Sequence, residues 1–401
     1  MSSITESIIE KYLVPRDQSF FNNRLYELGY SELAKYKLYI DRRVEFISKP
    51  ISVSFTPEYM ILAFPNGIKA RMNYSAIRHN SDYFYTILRT YNKWRIYLYN
   101  EPMVHTYEET SIEPAYDIAD NILKNTMPLE AIVRGMGYEP KDLVYRLLIP
   151  RILPLIKTPN PIHVWQYTKY NSGKTHYGLY VMKVFRYFYS TAVPSQAGLL
   201  YDARTGTYGW AMLSDGIVFD EVDKWSIDVM KSNELLSYMP TLMEQGVIVR
   251  PTTRHTFLGI IERKIPFIFM GNVPPLYDDI SCYKMSDRDI LQDHLRTWGD
   301  SVGAISDRIT LIDIDYSTPL ISDYVTDKIL PESVMLALVD LINKDAVSIS
   351  RPASSLSGRL KRHSEMLYIA LTAIGFETTI EDCDDIVLNG WRTWLRKNAE
   401  K

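Results

Sequence analysis

Residues 162–178 read IHVWQYTKYNSGKTHYG. The apolar run from Ile162 to Tyr167 suits a buried strand. It leads into Gly173-Lys174-Thr175, and then into HYGLYVMKVFRYFY (176–189), which is apolar at helical spacing. Strand, glycine loop and helix in that order form the setting of a phosphate-binding loop. Backbone N–H groups at the helix N-terminus, and the helix dipole, then face the phosphates. In such a loop Gly173 lets the backbone approach closely, Lys174 reaches the β- and γ-phosphates, and Thr175 offers its hydroxyl to Mg²⁺. Thr168, Asn171, Ser172 and His176 complete the expected nucleotide contacts. The usual pattern has a glycine five residues before Gly173, and that position is Thr168 here. Taken alone, the triplet is equally compatible with an ordinary surface loop.

The stretch DGIVFDEVDKW (215–225) begins 40 residues after the glycine-lysine-threonine triplet. Its apolar residues 217–219 place Asp220 and Glu221 at a strand end. Phosphoryl-transfer sites hold Mg²⁺ with one or two carboxylates plus phosphate oxygens, which suits Asp220. Glu221 is then the general base for the attacking water. A solvated acidic turn is the plain alternative. Asn272 ends the apolar run IPFIFMGN (265–272) and could hydrogen-bond the γ-phosphate and water, or simply start the turn GNVPP. Arg308, in VGAISDRITLIDID (302–315), could serve a neighbouring subunit as an arginine finger, or pair with Asp307 or another acid.

Strands alternating with helices over 162–315 predict an α/β core with a mostly parallel sheet, whose ligands sit beyond the carboxyl ends of the strands. Residues 1–115 read as an α+β domain: a helical stretch near 22–38, then RVEFIS, ISVSFT, YMILAF, GIKARMNY and YFYTILRTYNKWRIYLYN. Residues 116–318 form the core, opened by the helical AYDIADNILKNT, PLEAIVRGMG and KDLVYRLLIPRILPLI, and 319–401 a helical lid. GLLYDARTGTYGWAML (198–213) has the pattern of a β-hairpin turning at RTGT.

Composition narrows the function classes. The 401 residues carry a formal net charge of −3, so any nucleic-acid surface must be local. Two distant cysteines, Cys282 and Cys383, exclude a cysteine zinc module and a disulfide framework and suit a reducing cytoplasm. No apolar run is long enough to span a bilayer, and the N-terminus has no leader pattern, so no membrane partner is expected. The 30 tyrosines, with many isoleucines, point to a thermophilic archaeal or mobile-element origin.

Phosphate loop, DE strand, asparagine strand, arginine and helical lid, in that order, resemble an AAA+ ATPase. AGLLYDARTGTYGWAMLSDGIVFDEVDKW followed by LMEQGVIVRPTTRHTFLGIIERKIPFIFMGN resembles the core of minichromosome maintenance (MCM) helicases. IVRGMGYEPKDLVYRLLIPRILPLI, with FDEV, MGN and SDRI, is similar to the BrxL ATPases of phage defence. The likeness covers roughly residues 128–370. It implies a ring, hexameric by analogy, binding ATP and Mg²⁺ and acting on DNA as a helicase or translocase in replication. It also implies the roles given above for Lys174, Thr175, Asp220, Glu221, Asn272 (sensor 1) and Arg308 (finger). Arg359, in SLSGRLKRHSEMLYIAL, is similar to the sensor 2 arginine, with Arg351 and Arg362 as rivals. The first loop glycine of the family is absent. So are the MCM zinc module and room for the C-terminal Lon-like domain of BrxL.

In MCM-like rings two inserted hairpins line the pore. Here they would present Arg204 from DARTGT, and Arg250, Arg254 and His255 from VIVRPTTRHTF. Cationic tips suit sequence-independent phosphate contact. Residues 83–100 hold three basic residues, seven aromatics and no acid, so Lys93 and Arg95 could track a backbone while rings stack on bases. The same alternation also describes a half-buried hairpin. Two other readings stay open: a DNA-encircling module that does not unwind, such as a BrxL-like defence factor or an initiator loader, and a protein-remodelling machine.

Overall fold

The structure, a computed structural model, describes residues 115–399 except 186, 203–206, 209, 226–234, 251–258, 263, 274–284, 297–302 and 316–320. Before these it describes residue 9 and the strands at 14–15, 44–48, 52–55, 60–63, 69–72, 85–90 and 93–98. The chain divides into two compact units. One comprises Met1–Pro15, Pro114–Gln196 and Ser214–Lys401; the other comprises Arg16–Glu113 and Ala197–Leu213.

The first unit opens with a short strand, β1 (Val14–Pro15). Among the described residues of 16–113, the second unit consists of antiparallel strands. β2 (Val44–Ser48) pairs with β6 (Tyr85–Thr90), which pairs in turn with β7 (Lys93–Leu98). β3 (Ser52–Phe55), β4 (Met60–Ala63) and β5 (Lys69–Met72) form a meander. Each strand falls on one of the alternating segments expected to form it. The helix expected near 22–38 lies outside the described residues.

Three helices lead into the core: α1 (Ala115–Asn125), α2 (Pro128–Gly135) and α3 (Asp142–Ile152). Then come β8 (Val164–Thr168), α4 (Lys174–Phe185) and β9 (Phe188–Ser190). The expected helix over 176–189 therefore stops at Phe185. The aromatic residues that follow form an edge strand, because Phe188 and Tyr189 pair with the next core strand. α5 (Gln196–Leu199) starts on the last residue of the first-unit segment Pro114–Gln196 and leads into the second unit, where β10 (Tyr201–Asp202) pairs antiparallel with β11 (Thr207–Tyr208) before α6 (Trp210–Leu213). The turn carrying Arg204 lies outside the described residues.

The core continues with β12 (Ile217–Phe219), α7 (Leu235–Gln245) and the antiparallel pair β13 (Val247–Arg250) and β14 (Gly259–Glu262). It closes with β15 (Phe267–Asn272), α8 (Asp287–Arg296), α9 (Gly303–Ser306) and β16 (Leu311–Asp315). β17 (Lys328–Ile329) pairs with β1. Four helices end the chain: α10 (Glu332–Ser348), α11 (Gly358–Ala373), α12 (Ile380–Asn389) and α13 (Trp391–Ala399).

The central sheet has the order β16-β8-β15-β12-β9, with every pair parallel. β8, β12, β15 and β16 are buried along their whole length, as expected of parallel strands covered on both faces. Trp165 stacks on Phe269 at 4.7 Å, and Phe219 lies 5.5 Å from Phe269, so one face is an aromatic layer. β16 does not look like a buried strand in sequence, because TLIDID carries two acids. Both are neutralised inside: Arg392 of α13 bonds Asp313 and Asp315, each at 2.8 Å.

Candidate functional site

Parallel register brings the polar strand ends to one edge. Thr168 stands opposite Asn272 on one side and Asp315 on the other. Phe219 pairs with Phe269, so Asp220 emerges at the same carboxyl edge.

The loop between β8 and α4 is closed by its own side chains. The Thr168 and Ser172 hydroxyls meet at 2.5 Å across it. Gly173 has φ +74°, and a Cβ there would come within 2.7 Å of the Ile321 side chain, so glycine is required twice over. Asn171 shares the left-handed conformation, with φ 62°. Lys174 Nζ donates to the Lys169 carbonyl at 3.0 Å, to Thr168 Oγ1 at 3.2 Å and to Ser172 Oγ at 3.4 Å. Burial, then the nearby Arg151 charge, lowers the Lys174 pKa to about 8. His176 lies in the first turn of α4, where its Nδ1 meets the Tyr138 hydroxyl at 2.9 Å.

Thr175 and Asp220, 45 residues apart in sequence, are in direct contact: the threonine hydroxyl donates to Asp220 Oδ2 at 2.7 Å. The Tyr189 hydroxyl donates to the same oxygen at 2.9 Å. A hydroxyl and a carboxylate beside a phosphate loop are the donor set a Mg²⁺-nucleotide needs, since this ion takes few protein ligands and completes its shell with phosphate and water. Glu221 follows in a left-handed conformation (φ 57°, ψ 32°), which is uncommon for a side chain of this size and turns it away from the strand direction. Its Oε1 accepts from Lys224 Nζ at 2.5 Å in an exposed pair.

Asn272 is held by a residue that drew no notice in sequence. Asp223 accepts from the Asn272 backbone N–H at 2.8 Å and from its side-chain Nδ2 at 3.3 Å. The available signal was a third carboxylate three residues after Asp220. Gly271 allows the contact, because a Cβ there would lie 2.7 Å from Asp223 Oδ1.

Arg308 and Arg359 lie elsewhere. Arg308 lies shortly before β16, with two residues between them, at the amino end of the sheet. Its Nη2 donates to Glu244 Oε2 at 2.8 Å rather than to Asp307. Arg359, in the first turn of α11, reaches the same oxygen at 2.8 Å, and Arg362 reaches Glu244 Oε1 at 3.2 Å. Arg351 stays exposed. His163, at the start of β8, buttresses the cluster: its Nε2 donates to the Met243 carbonyl at 2.9 Å, while Nδ1 accepts from the Phe267 N–H at 3.1 Å. Five residues of strand, about 17 Å at the usual rise, separate this arginine cluster from the phosphate loop. The expected finger and sensor 2 residues therefore share one surface, and it is not the one facing this chain's own loop. Glu244, which gathers them, lies in the quoted MEQ but carried no role in the sequence reading.

Of the DNA contacts expected, Arg204, Arg254 and His255 lie outside the described residues. Arg250, Lys93 and Arg95 lie in described strands, and only their backbone is described. Among the described residues, no helix is long and apolar enough to cross a membrane.

Residues 120–312 match the family described as "Lon-like protease BrxL-like, ATPase domain". The matched segment contains β8, β9, β12 and β15, with the phosphate loop, Asp220, Glu221 and Asn272, and it ends within β16. Protein 440 of Sulfolobus islandicus rod-shaped virus 1 is 28% identical over 378 residues, covering 87% of this chain and 84% of the relative. ORF426 of Acidianus filamentous virus 1 is 24% identical over 367 residues, covering 85% and 84%. An origin on an archaeal mobile element accords with both. Among solved structures, a full-length MCM homologue from Methanopyrus kandleri aligns with a TM-score of 0.35 at 12% identity, covering 88% of this chain and 72% of that one. Residues 120–312 are thus similar to a BrxL-like ATPase domain, and they hold most of a parallel-sheet α/β core.

Proposed function

We propose that this protein is a ring-forming ATPase that hydrolyses ATP between subunits and acts on DNA. The contact between Thr175 and Asp220, beside Lys174, is the observation that carries the ATPase assignment. Lys174 and the loop N–H groups bind the phosphates. Thr175 and Asp220 would hold Mg²⁺, which would offset phosphate charge. Glu221 takes the proton of the attacking water, and Asn272, steadied by Asp223, orients it.

Arg308 and Arg359 sit at the opposite sheet edge from their own loop. That placement favours action on the nucleotide of a neighbouring subunit, where a guanidinium stabilises charge on the transferring phosphoryl group. Three arginines around one glutamate leave a net positive surface suited to a polyphosphate, and it makes the site complete only in an oligomer, with a hexameric ring as the working assumption.

The DNA component is supported by the antiparallel pair β13 and β14, inserted directly before β15, whose connection carries Arg254 and His255 beyond Arg250. Translocation or unwinding during replication of a mobile element is the activity we favour. Encirclement of duplex without unwinding is the alternative. The test is the ATPase rate with and without single- and double-stranded DNA, alongside strand displacement on a fork. We expect DNA to raise the rate, and Arg250→Ala with Arg254→Ala to weaken DNA binding most at low salt and to flatten its salt dependence. A rate indifferent to both DNA forms would remove the DNA component and leave the ATPase.

A further inference from the structure

We infer that Arg151 is a positioning residue of the phosphate loop: a fully buried cation that braces the loop from beneath and directs its charge at the bound phosphates. Its role rests on the nucleotide reading above. Arg151 interrupts the apolar run LLIPRILPLI on α3 and is 0% exposed. Nη1 donates to the Ser172 carbonyl at 2.9 Å, Nη2 to Ser172 Oγ at 3.4 Å and Nε to Gln166 Oε1 at 2.7 Å. A Cβ built on Gly173 would lie 3.7 Å from Nη1, so the guanidinium sits directly against the loop.

No carboxylate lies within ion-pair distance of Arg151 among the described residues. Asp313 is reached only through Gln166, whose Nε2 donates to it at 2.6 Å, and Asp313 is already paired with Arg392. Burying an unpaired charge is costly, by several kcal/mol in general. The Tyr177 ring at 5.9 Å offsets a part. Phosphates held on the far side of the loop supply the missing counter-charge.

The same contacts explain how the loop works without its usual first glycine. Thr168 is tied to Ser172 by their hydroxyls, and Ser172 is tied to Arg151. A hydroxyl staple and a buried fork replace the glycine turn. Lys174 and Arg151 both reach Ser172 Oγ, so two cations flank one loop residue.

The experiment measures ATP and ADP affinity in wild type, Arg151→Met and Arg151→Lys. Loss of the charge in Arg151→Met weakens ATP by about tenfold or more and ADP distinctly less, following phosphate charge. Arg151→Lys keeps the charge and loses the fork, so ATP weakens less and its preference over ADP is restored. Equal weakening of ATP and ADP in Arg151→Met shows a merely structural brace and overturns the inference; so does wild-type binding. Should Arg151→Met fail to fold, Arg151→Lys decides. ATP binding within about threefold of wild type then supports the inference, and a loss of about tenfold or more despite the kept charge overturns it. Absence of nucleotide binding in the wild type, with Lys174→Ala silent, overturns the nucleotide reading itself.

Discussion

If the proposed nucleotide site holds, Lys174 sets the pH range in which the loop binds phosphate. Its pKa is lowered to about 8, so it is cationic below that pH and neutral above it. Bound phosphate favours the protonated form and raises the pKa. Affinity for ATP is therefore highest below about pH 8 and falls as pH climbs through it, which equilibrium titration between pH 6.5 and 9.5 measures. Glu221→Gln removes the base while leaving Lys174, Thr175 and Asp220 in place; ATP binding should persist while turnover drops at least a hundredfold. His163 works in the opposite direction on stability. Burial lowers its pKa to about 4, so the folded protein keeps it neutral while the unfolded chain protonates near 6.5. Stability from this group is complete above about pH 6.5 and is lost as pH falls toward 4, in a window thermal melts at stepped pH can follow. The phosphate-loop pair and the acids were readable because each sits at the end of an apolar run. Asp223, Glu244 and Arg151 were not, because their partners lie 49, 64 or more, and 15 or more residues away.

Among elements, β15 shows how a strand end can be tuned. Gly271 faces Asp223 and the Tyr167 ring, each 2.7 Å from an added Cβ, so Gly271→Ala pushes Asp223 off Asn272. We expect turnover to fall about tenfold with ATP affinity unchanged, as for loss of a group that acts on the transition state; equal losses in both would point to a collapsed loop instead. β8, β12 and β15 were legible as apolar runs with polar ends. β9 was not, since FRYFY continues a helical spacing and only pairing with Ile217–Phe219 makes it a strand. β16 was hidden by Asp313 and Asp315, whose charges are answered by Arg392 from a helix 77 or more residues on. A sequence pattern weighs each residue by its own polarity, whereas the sheet buries any acid that a distant arginine reaches.

For the whole molecule, the two sheet edges carry different residue sets. The carboxyl edge holds Lys174, Thr175, Asp220 and Asn272; the amino edge holds Arg308, Arg359 and Arg362 on Glu244. About 17 Å of strand separates them, so under the proposed function neither set alone makes a complete hydrolysis site. The order of motifs along the sequence suggested an intersubunit arginine, and their common partner Glu244 places Arg359 beside Arg308. The most direct measurement mixes two inactive variants before assembly, Lys174→Ala and Arg308→Ala, and follows ATP hydrolysis. A neighbour carrying Arg308 then completes the intact loop of the other variant. Mixed assemblies are predicted to recover about a quarter of wild-type activity, from the share of interfaces that combine both intact halves. Activity no greater than the sum of the two separate variants would contradict a site shared between subunits.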